Sequence, residues 1–450
     1  MKVLKFGGTS VANPENINKV KSILGNQKNE QMAVVVSAFG GVTDLLLNAS
    51  RLASEQDVSY KSSLKEIEDR HISAIRELIP VTSQSAALSK VKSELNILET
   101  LLEGAFLVGE LTPKLSDKIV SYGELLSSFI ISEFLKSEGL DVAFKDSREL
   151  IKTDNNFGKA NVDFNITNAN CESYFSSAKN QITVLPGFVA SSKSGDLTTL
   201  GRGGSDYTAA IIAAAVDAEI LEIWTDVSGM YTANPKLVKQ AKCVAHISYQ
   251  EAMELSHFGA KVLFPPTIQP VLGKAIPIAI KNTFEPENPG TLIAKNNNGN
   301  GKTVRGISHV GNISLLSLEG PGMIGIPGIS KRFFETLSVK NISIVLITQA
   351  SSEHSICVGI ADEDVDLAAE AVNETFEYEI SRKKIKPVIV EKDLTIVALV
   401  GDNMKSHQGL SGKMFSTLGK NNVNIRAIAQ GASERNISAV IKKDDVKKAL

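Results

Sequence analysis

Cysteine is scarce in this chain. The three present, Cys171, Cys243 and Cys357, stand far apart and in no ligand spacing. That excludes a disulfide framework and predicts reduced, buried thiols in a reducing compartment. Charge of one sign is also lacking: the formal net charge is -2, which gives no electrostatic reason to expect nucleic acid or an anionic membrane as partner. No apolar run approaches the roughly 20 residues needed to span a bilayer. The opening MKVLKFGG has too short an apolar part for a secretory signal and reads as a first strand, so a cytoplasmic protein is expected. Neither a P-loop nor a dinucleotide fingerprint occurs, and the six histidines fall in no ligand or triad arrangement, so no metal ligands are predicted.

What is present is an ordinary globular composition, 43% hydrophobic and 22% charged over 450 residues. A chain of that length splits into two or three domains, because single cores stop growing well before it. Up to about residue 290 the pattern alternates strand and helix. Short, nearly continuous apolar runs, VLKF (3–6), MAVVVSAF (32–39), ITVLPGFV (182–189) and LEIWTDV (221–227), read as strands buried on both faces. Residues 61–102 repeat apolar positions at helical steps with a break near Pro80, and 207–218 form an Ala-rich helix. This is an α/β chain with a mainly parallel sheet. The polar run KNNNGNGK (295–302) reads as a linker. Beyond it the chain repeats itself. NISLLSLEG, a helix and NISIVLITQASSEHSICVGI (341–360) correspond to LTIVALVGD, a helix and NVNIRAIAQGASERNISAVI (422–441). Each copy reads β-α-β-β with a further element, the mark of duplicated modules. The expected divisions are a first domain over 1–294, a linker and edge strand over 295–311, and modules over 312–390 and 391–450.

Six short stretches carry chemistry. KFGGTS (5–10) follows a strand; its glycine amides can form an anion nest beside the cation of Lys5, although a plain tight turn fits equally. SAFGGVTD (37–44) is a second Gly-rich turn, entering a helix expected to be capped by Thr43 or Asp44. Both turns should lie at the carboxyl ends of strands, where open α/β sheets bind ligands. TTLGRGGSDYTA (198–209) sets Arg202 in a Gly-rich turn before a helix, placed to hold a carboxylate or phosphate. There Asp206 is open to a role on an ammonium, a metal or a lysine, or as the helix cap. SYGELLSS (121–128) places Glu124 in an apolar helix, where a solvent-facing position is the ordinary expectation. WTDVSGMYTANP (224–235) offers Thr225, Asp226 and Tyr231 in a loop, and FGAKVLFPPT (258–267) offers Lys261.

Taken in their order along the chain, the six stretches resemble aspartate kinases of the amino acid kinase family, across nearly the whole first domain. The tail, with GPGM, VLITQASSE and IAQGASER, resembles that family's paired ACT modules. The chain is most similar to the kinase half of the fused aspartate kinase–homoserine dehydrogenase proteins. The resemblance implies a three-layer α/β/α sandwich followed by two α+β modules. It implies transfer of the γ-phosphoryl group of ATP, with Mg²⁺ held mainly by the nucleotide phosphates, to the β-carboxylate of L-aspartate. That reaction opens lysine, threonine and methionine biosynthesis.

Carried over by motif, Thr43, Glu124, Arg202 and Ser205 would hold aspartate, Glu124 meeting its ammonium and Arg202 a carboxylate. Lys5, Asp206 and Lys261 would act at the reacting centre. Lys5, Gly7, Gly8, Ser37, Thr225, Asp226, Tyr231, Lys236 and Lys261 would face ATP. Lys236 stands where the family often has arginine; it keeps the charge but loses the bidentate fork. Gln349 and Gln430, equivalent in the two repeats, resemble residues that contact a threonine effector. Val345 replaces the acidic residue of lysine-sensitive relatives, which again favours threonine over lysine. A homodimer or higher oligomer through the ACT modules is expected. The chain ends at DDVKKAL (444–450), about two turns into the helix that should complete the second module, which suggests a piece of a longer fused enzyme. The rivals are a family member acting on glutamate, acetylglutamate or UMP, and a catalytically silent sensor.

Overall fold

The apolar runs become a buried sheet because most of their residues pack on one face or the other; Asp226, near the end of the last run, is exposed. The structure, a computed structural model, describes residues 1–27, 30–257, 263–295, 303–349, 354–402, 404, 407–431 and 435–450. Among the described residues, eleven strands precede the tail: β1 Lys2–Phe6, β2 Met32–Val36, β3 Val142–Phe144, β4 Lys152–Thr153, β5 Ile182–Pro186, β6 Val189–Ser192, β7 Leu197–Thr199, β8 Ile220–Thr225, β9 His246–Ser248, β10 Ile278–Asn282 and β11 Thr291–Ala294. Eight of them form one sheet in the order β3-β5-β2-β1-β8-β10-β11-β9, and β4, β6 and β7 form a small second one. From β3 to β10 all pairs are parallel; only β10 with β11 is antiparallel. All five residues of β2 are buried, as a strand covered on both faces requires. Helices complete the three-layer α/β/α sandwich.

The break expected near Pro80 is real. Helix Tyr60–Leu78 ends, Ile79 is extended, and Pro80 caps helix Val81–Val108. One cap differs from expectation: helix Val42–Ser54 is entered through Gly41 at φ 80°, so Thr43 and Asp44 sit inside its first turn and cap nothing. The left-handed backbone at Gly41 favours glycine, which has no side chain to accept from the first-turn amides. Of the cysteines, Cys171 is buried, whereas Cys243 and Cys357 are only half-buried; all three are free.

The chain divides into two units. The first comprises Met1–Met230, Cys243–Met253 and Lys261–Gly299; the second comprises Tyr231–Lys242, Glu254–Ala260 and Asn300–Leu450. The second unit is built on β12 Val304–Glu319, β13 Ile344–Gln349, β14 Ser355–Ala361, β15 Ile389–Gly401, β16 Ile425–Gln430 and β17 Asn436–Lys442. They form a single antiparallel sheet in the order β13-β14-β12-β15-β17-β16. The two repeats therefore share one sheet, joined where β12 pairs with β15. Asn341 and Asn422 occupy the same place in each repeat, both at φ 56°, where the chain leaves a helix for the next strand. Asparagine tolerates that left-handed turn, which is why both copies carry it there. The segment Tyr231–Lys242 belongs with this sheet because Ile307 N–H on β12 donates to Thr232 O at 2.8 Å. Among the described residues, no helix is long and apolar enough to cross a membrane.

Candidate active site

Strand order reverses at β1: β2, β5 and β3 lie to one side, β8 and β10 to the other. A crevice opens at the carboxyl ends of strands beside such a switch point. The two glycine turns meet there. A Cβ on Gly40 would stand 2.9 Å from Ala12 Cβ and 3.1 Å from Gly8 O, so only glycine lets the two backbones approach this closely. Arg70 of helix Tyr60–Leu78 ties the pair together, donating to Gly40 O at 2.7 Å and Ala12 O at 3.2 Å. Its neighbour His71 is fully buried and stacks on Phe39 at 5.0 Å. Burial pushes the His71 imidazole down to about 4, and its Nδ1–H donates to Ile67 O.

Lys5, the penultimate residue of β1, points its ammonium out of the sheet beside Gly7, where an added Cβ would touch Lys5 Nζ at 3.4 Å. Lys5 Nζ lies 2.6 Å from Asp206 Oδ1, both side chains nearly buried. By distance this is a tight ion pair, although its angles fall outside hydrogen-bond geometry, since Oδ1 has no hydrogen-bond partner among the described residues. Asp206 is in the first turn of helix Gly204–Ala215, which is entered through Gly203 at φ 71°. It is therefore no cap; its position at the positive end of the helix dipole suits a carboxylate. Ser205 is pressed onto β5's exit: a Cβ on Gly187 would fall 2.5 Å from Ser205 Cβ.

Glu124 departs most from the ordinary expectation. It lies on helix Pro113–Ser137 but is only 5% exposed. Gly123 lets that helix sit against the second glycine turn, since a Cβ there would meet Ala38 Cβ at 2.8 Å. Desolvation pushes the Glu124 carboxyl up to about 8, against the opposing pull of the Ala38 amide and the Lys5 charge. Its Oε2 has no hydrogen-bond partner among the described residues. A buried acid with an unused oxygen can take a cation once it gives up its proton.

These groups line one cavity of about 430 Å³. Of the residues expected at the site, Lys5, Ser37, Thr43, Glu124, Arg202, Ser205 and Asp206 all face it. Thr225 and Asp226 close β8 in the same unit, Thr225 Oγ1 donating to Asp226 Oδ1 at 3.2 Å. Tyr231 and Lys236 fall in the second unit, and Lys261 lies outside the described residues. Sequence reasoning missed Asp117, which lines the same cavity and is 2% exposed. Its signal was available: it stands two helical turns before Glu124, on the same face. In the tail, Gln349 ends β13 and lines a separate cavity of about 350 Å³ with Met323, Gly328 and Ser330, and Gln430 ends β16 at the matching place.

The cavity thus offers a lysine, an arginine, a helix N-terminus and a cation-seeking carboxyl, a set that can hold a small zwitterion beside an anionic group. Comparison with known proteins identifies the family. Residues 1–282 match the model of the amino acid kinase family, and 316–376 with 397–450 match that of the ACT domain. The chain is 36% identical over 454 residues to bifunctional aspartokinase/homoserine dehydrogenase 1, chloroplastic, of Arabidopsis thaliana, covering 100% of this chain and 50% of the relative. It is 31% identical over 451 residues to lysine-sensitive aspartokinase 3 of Escherichia coli K12, covering 100% and 97%. The crystal structure of E. coli aspartokinase III in complex with aspartate and ADP superposes with a TM-score of 0.85 at 30% identity, covering 100% of this chain and 98% of that one. The chain spans about half the length of the bifunctional plant relatives it matches.

Proposed function

The chain belongs to the amino acid kinase family, in its aspartokinase branch, and on that premise we propose that it phosphorylates the side-chain carboxylate of L-aspartate with ATP. The observation that carries this reading is the single cavity shared by Lys5, Glu124, Arg202, Ser205 and Asp206. Glu124 pairs the substrate ammonium, Arg202 a substrate carboxylate, and Thr43 and Ser205 add hydroxyl contacts. Lys5, Gly7, Gly8, Ser37, Thr225 and Asp226 face the nucleotide. The nucleophile is a carboxylate that is already ionised at neutral pH, so no general base is required. The difficulty is electrostatic, because two anions must meet and charge spreads over the transferring phosphoryl group. Lys5 serves that need; in the free protein Asp206 holds its ammonium in place.

Among the described residues no group of three or more His, Cys, Asp or Glu side chains could hold a metal ion. The Mg²⁺ that accompanies ATP would be carried mainly by the phosphates, where it would screen their charge. Family members acting on glutamate, acetylglutamate or UMP are disfavoured by the paired ACT modules and the SYGE stretch, and a silent sensor by the retention of Lys5, Arg202 and Asp206 in one cavity.

The tail is proposed to bind an amino acid at Gln349 and Gln430, threonine in preference to lysine. The cavity beside Gln349 and the absence of an acid at Val345 support this. A homodimer through the tail is supported by Ile347 and Ile428, equivalent in the repeats and 54% and 43% exposed on β13 and β16.

The test is ATP- and Mg²⁺-dependent acyl-hydroxamate formation from aspartate with hydroxylamine, with and without threonine or lysine. Turnover on aspartate suppressed by threonine alone supports both parts. Suppression by lysine alone overturns the effector assignment, and no turnover on aspartate overturns the kinase.

A further inference from the structure

Asp117 is a buried carboxylate with no cation beside it among the described residues, which is an expensive arrangement unless both oxygens are fully hydrogen-bonded. They are. Gly158 N–H donates to Oδ1 and Oδ2, both at 3.0 Å; Thr199 N–H donates to Oδ2 at 3.0 Å, and Thr199 Oγ1–H to Oδ1 at 2.8 Å. One side chain on helix Pro113–Ser137 thus holds two loops that come from distant parts of the chain.

Both loops converge on Arg202. Thr199 ends β7 and leads directly into the turn Leu200-Gly201-Arg202. Gly158 packs against that turn: a Cβ on Gly201 would stand 3.1 Å from Gly158 O, and Gly201 is itself at φ 71°. Ala160 N–H donates to Thr199 O at 2.9 Å, which closes the frame. Arg202 is exposed and lines the cavity, so its guanidinium has no packing of its own to fix it. Its backbone must supply the order.

We propose that Asp117 is a positioning residue that sets the turn carrying Arg202 for the substrate carboxylate; this rests on the reading that Arg202 binds aspartate. The alternative is that Asp117 itself touches the substrate, since it faces the same cavity as Glu124. The two differ in what they require. Positioning needs acceptors for two amides, and Asp117→Asn keeps one oxygen while its amide can donate to a reversed Thr199 hydroxyl. Substrate contact needs the negative charge, which Asn lacks.

Steady-state kinetics on wild type, Asp117→Ala, Asp117→Asn and Thr199→Val, together with hydrogen exchange of peptides covering Gly158 and Thr199 to Gly204, separate them. For Asp117→Ala we expect the aspartate KM to rise about tenfold or more, with the ATP KM within about twofold. Exchange at both loops should quicken. Asp117→Asn should stay within about threefold of wild type with near-normal exchange, and Thr199→Val should lie between. An Asn variant as damaged as the Ala variant, with undisturbed exchange, overturns positioning in favour of contact. Unchanged KM and exchange in Asp117→Ala overturns it outright. Should Asp117→Ala not fold, Thr199→Val against Asp117→Asn carries the same comparison. If wild type does not act on aspartate, the proposed function fails, and the exchange data still decide what Asp117 holds.

Discussion

In the proposed function, Glu124 takes the substrate ammonium, and that role would make aspartate binding a proton-linked event. With burial holding its carboxyl near 8, the free protein at pH 7 keeps about 0.9 of a proton there. A substrate ammonium requires the carboxylate, so that proton must leave on binding. Below the raised value each pH unit costs about 1.4 kcal/mol of apparent affinity, or a factor of ten. The aspartate KM should therefore fall about tenfold from pH 6 to 7, fall further toward 8, and level off above it, before the substrate ammonium itself titrates. Glu124→Gln should bind aspartate weakly and without this slope. Two assays check it: KM from pH 6 to 9, and calorimetry in buffers of different ionisation enthalpy, which counts the protons released. A flat wild-type KM over that range with no proton release would refute the reasoning, because a carboxyl ionised in the free protein has no proton to give. The same linkage affects stability. The unfolded chain releases this proton near 4.5 and the folded one only near 8, so stability falls as pH rises through that window, and Glu124→Gln should remove that loss.

Lys5→Ala removes the cation facing the transferring group, and kcat should drop about 100-fold or more while both KM values change by less than about threefold; near-normal kcat would defeat its role. His71 is buried neutral, so the unfolded state binds a proton below 6.5 that the folded state refuses until about 4. Stability should decline across that interval, by about 3 kcal/mol at pH 4, and His71→Phe, which keeps a ring against Phe39, should lose less when chemical denaturation is compared at pH 7 and 4. Gly187→Ala forces a methyl to 2.5 Å from Ser205 Cβ. It should cost about 1–3 kcal/mol and raise the aspartate KM, as melting and kinetics would report.

Much of this was legible in the chain because it is local. Unbroken apolar runs mark strands wherever both faces are covered, and the two repeats betray themselves by ITQASSEHSI against IAQGASERNI. The glycine turns after β1 and β2 could be read as candidate anion sites because Lys5 and a helix start stand beside them, although the glycines alone fit a plain tight turn equally. The caps were less legible: Gly41 and Gly203 enter their helices through left-handed backbone, so the polar residues just inside, Thr43, Asp44 and Asp206, were left free for other partners. What only tertiary structure decided is burial and convergence. Nothing near Glu124 in sequence says that Gly123 lets its helix meet the second turn and strips the carboxyl of water. Nothing near Asp117 names Gly158 or Thr199, which come from other parts of the chain. The sequence determined which elements form and which turns leave room for an anion; long-range packing decided which charges lose their water.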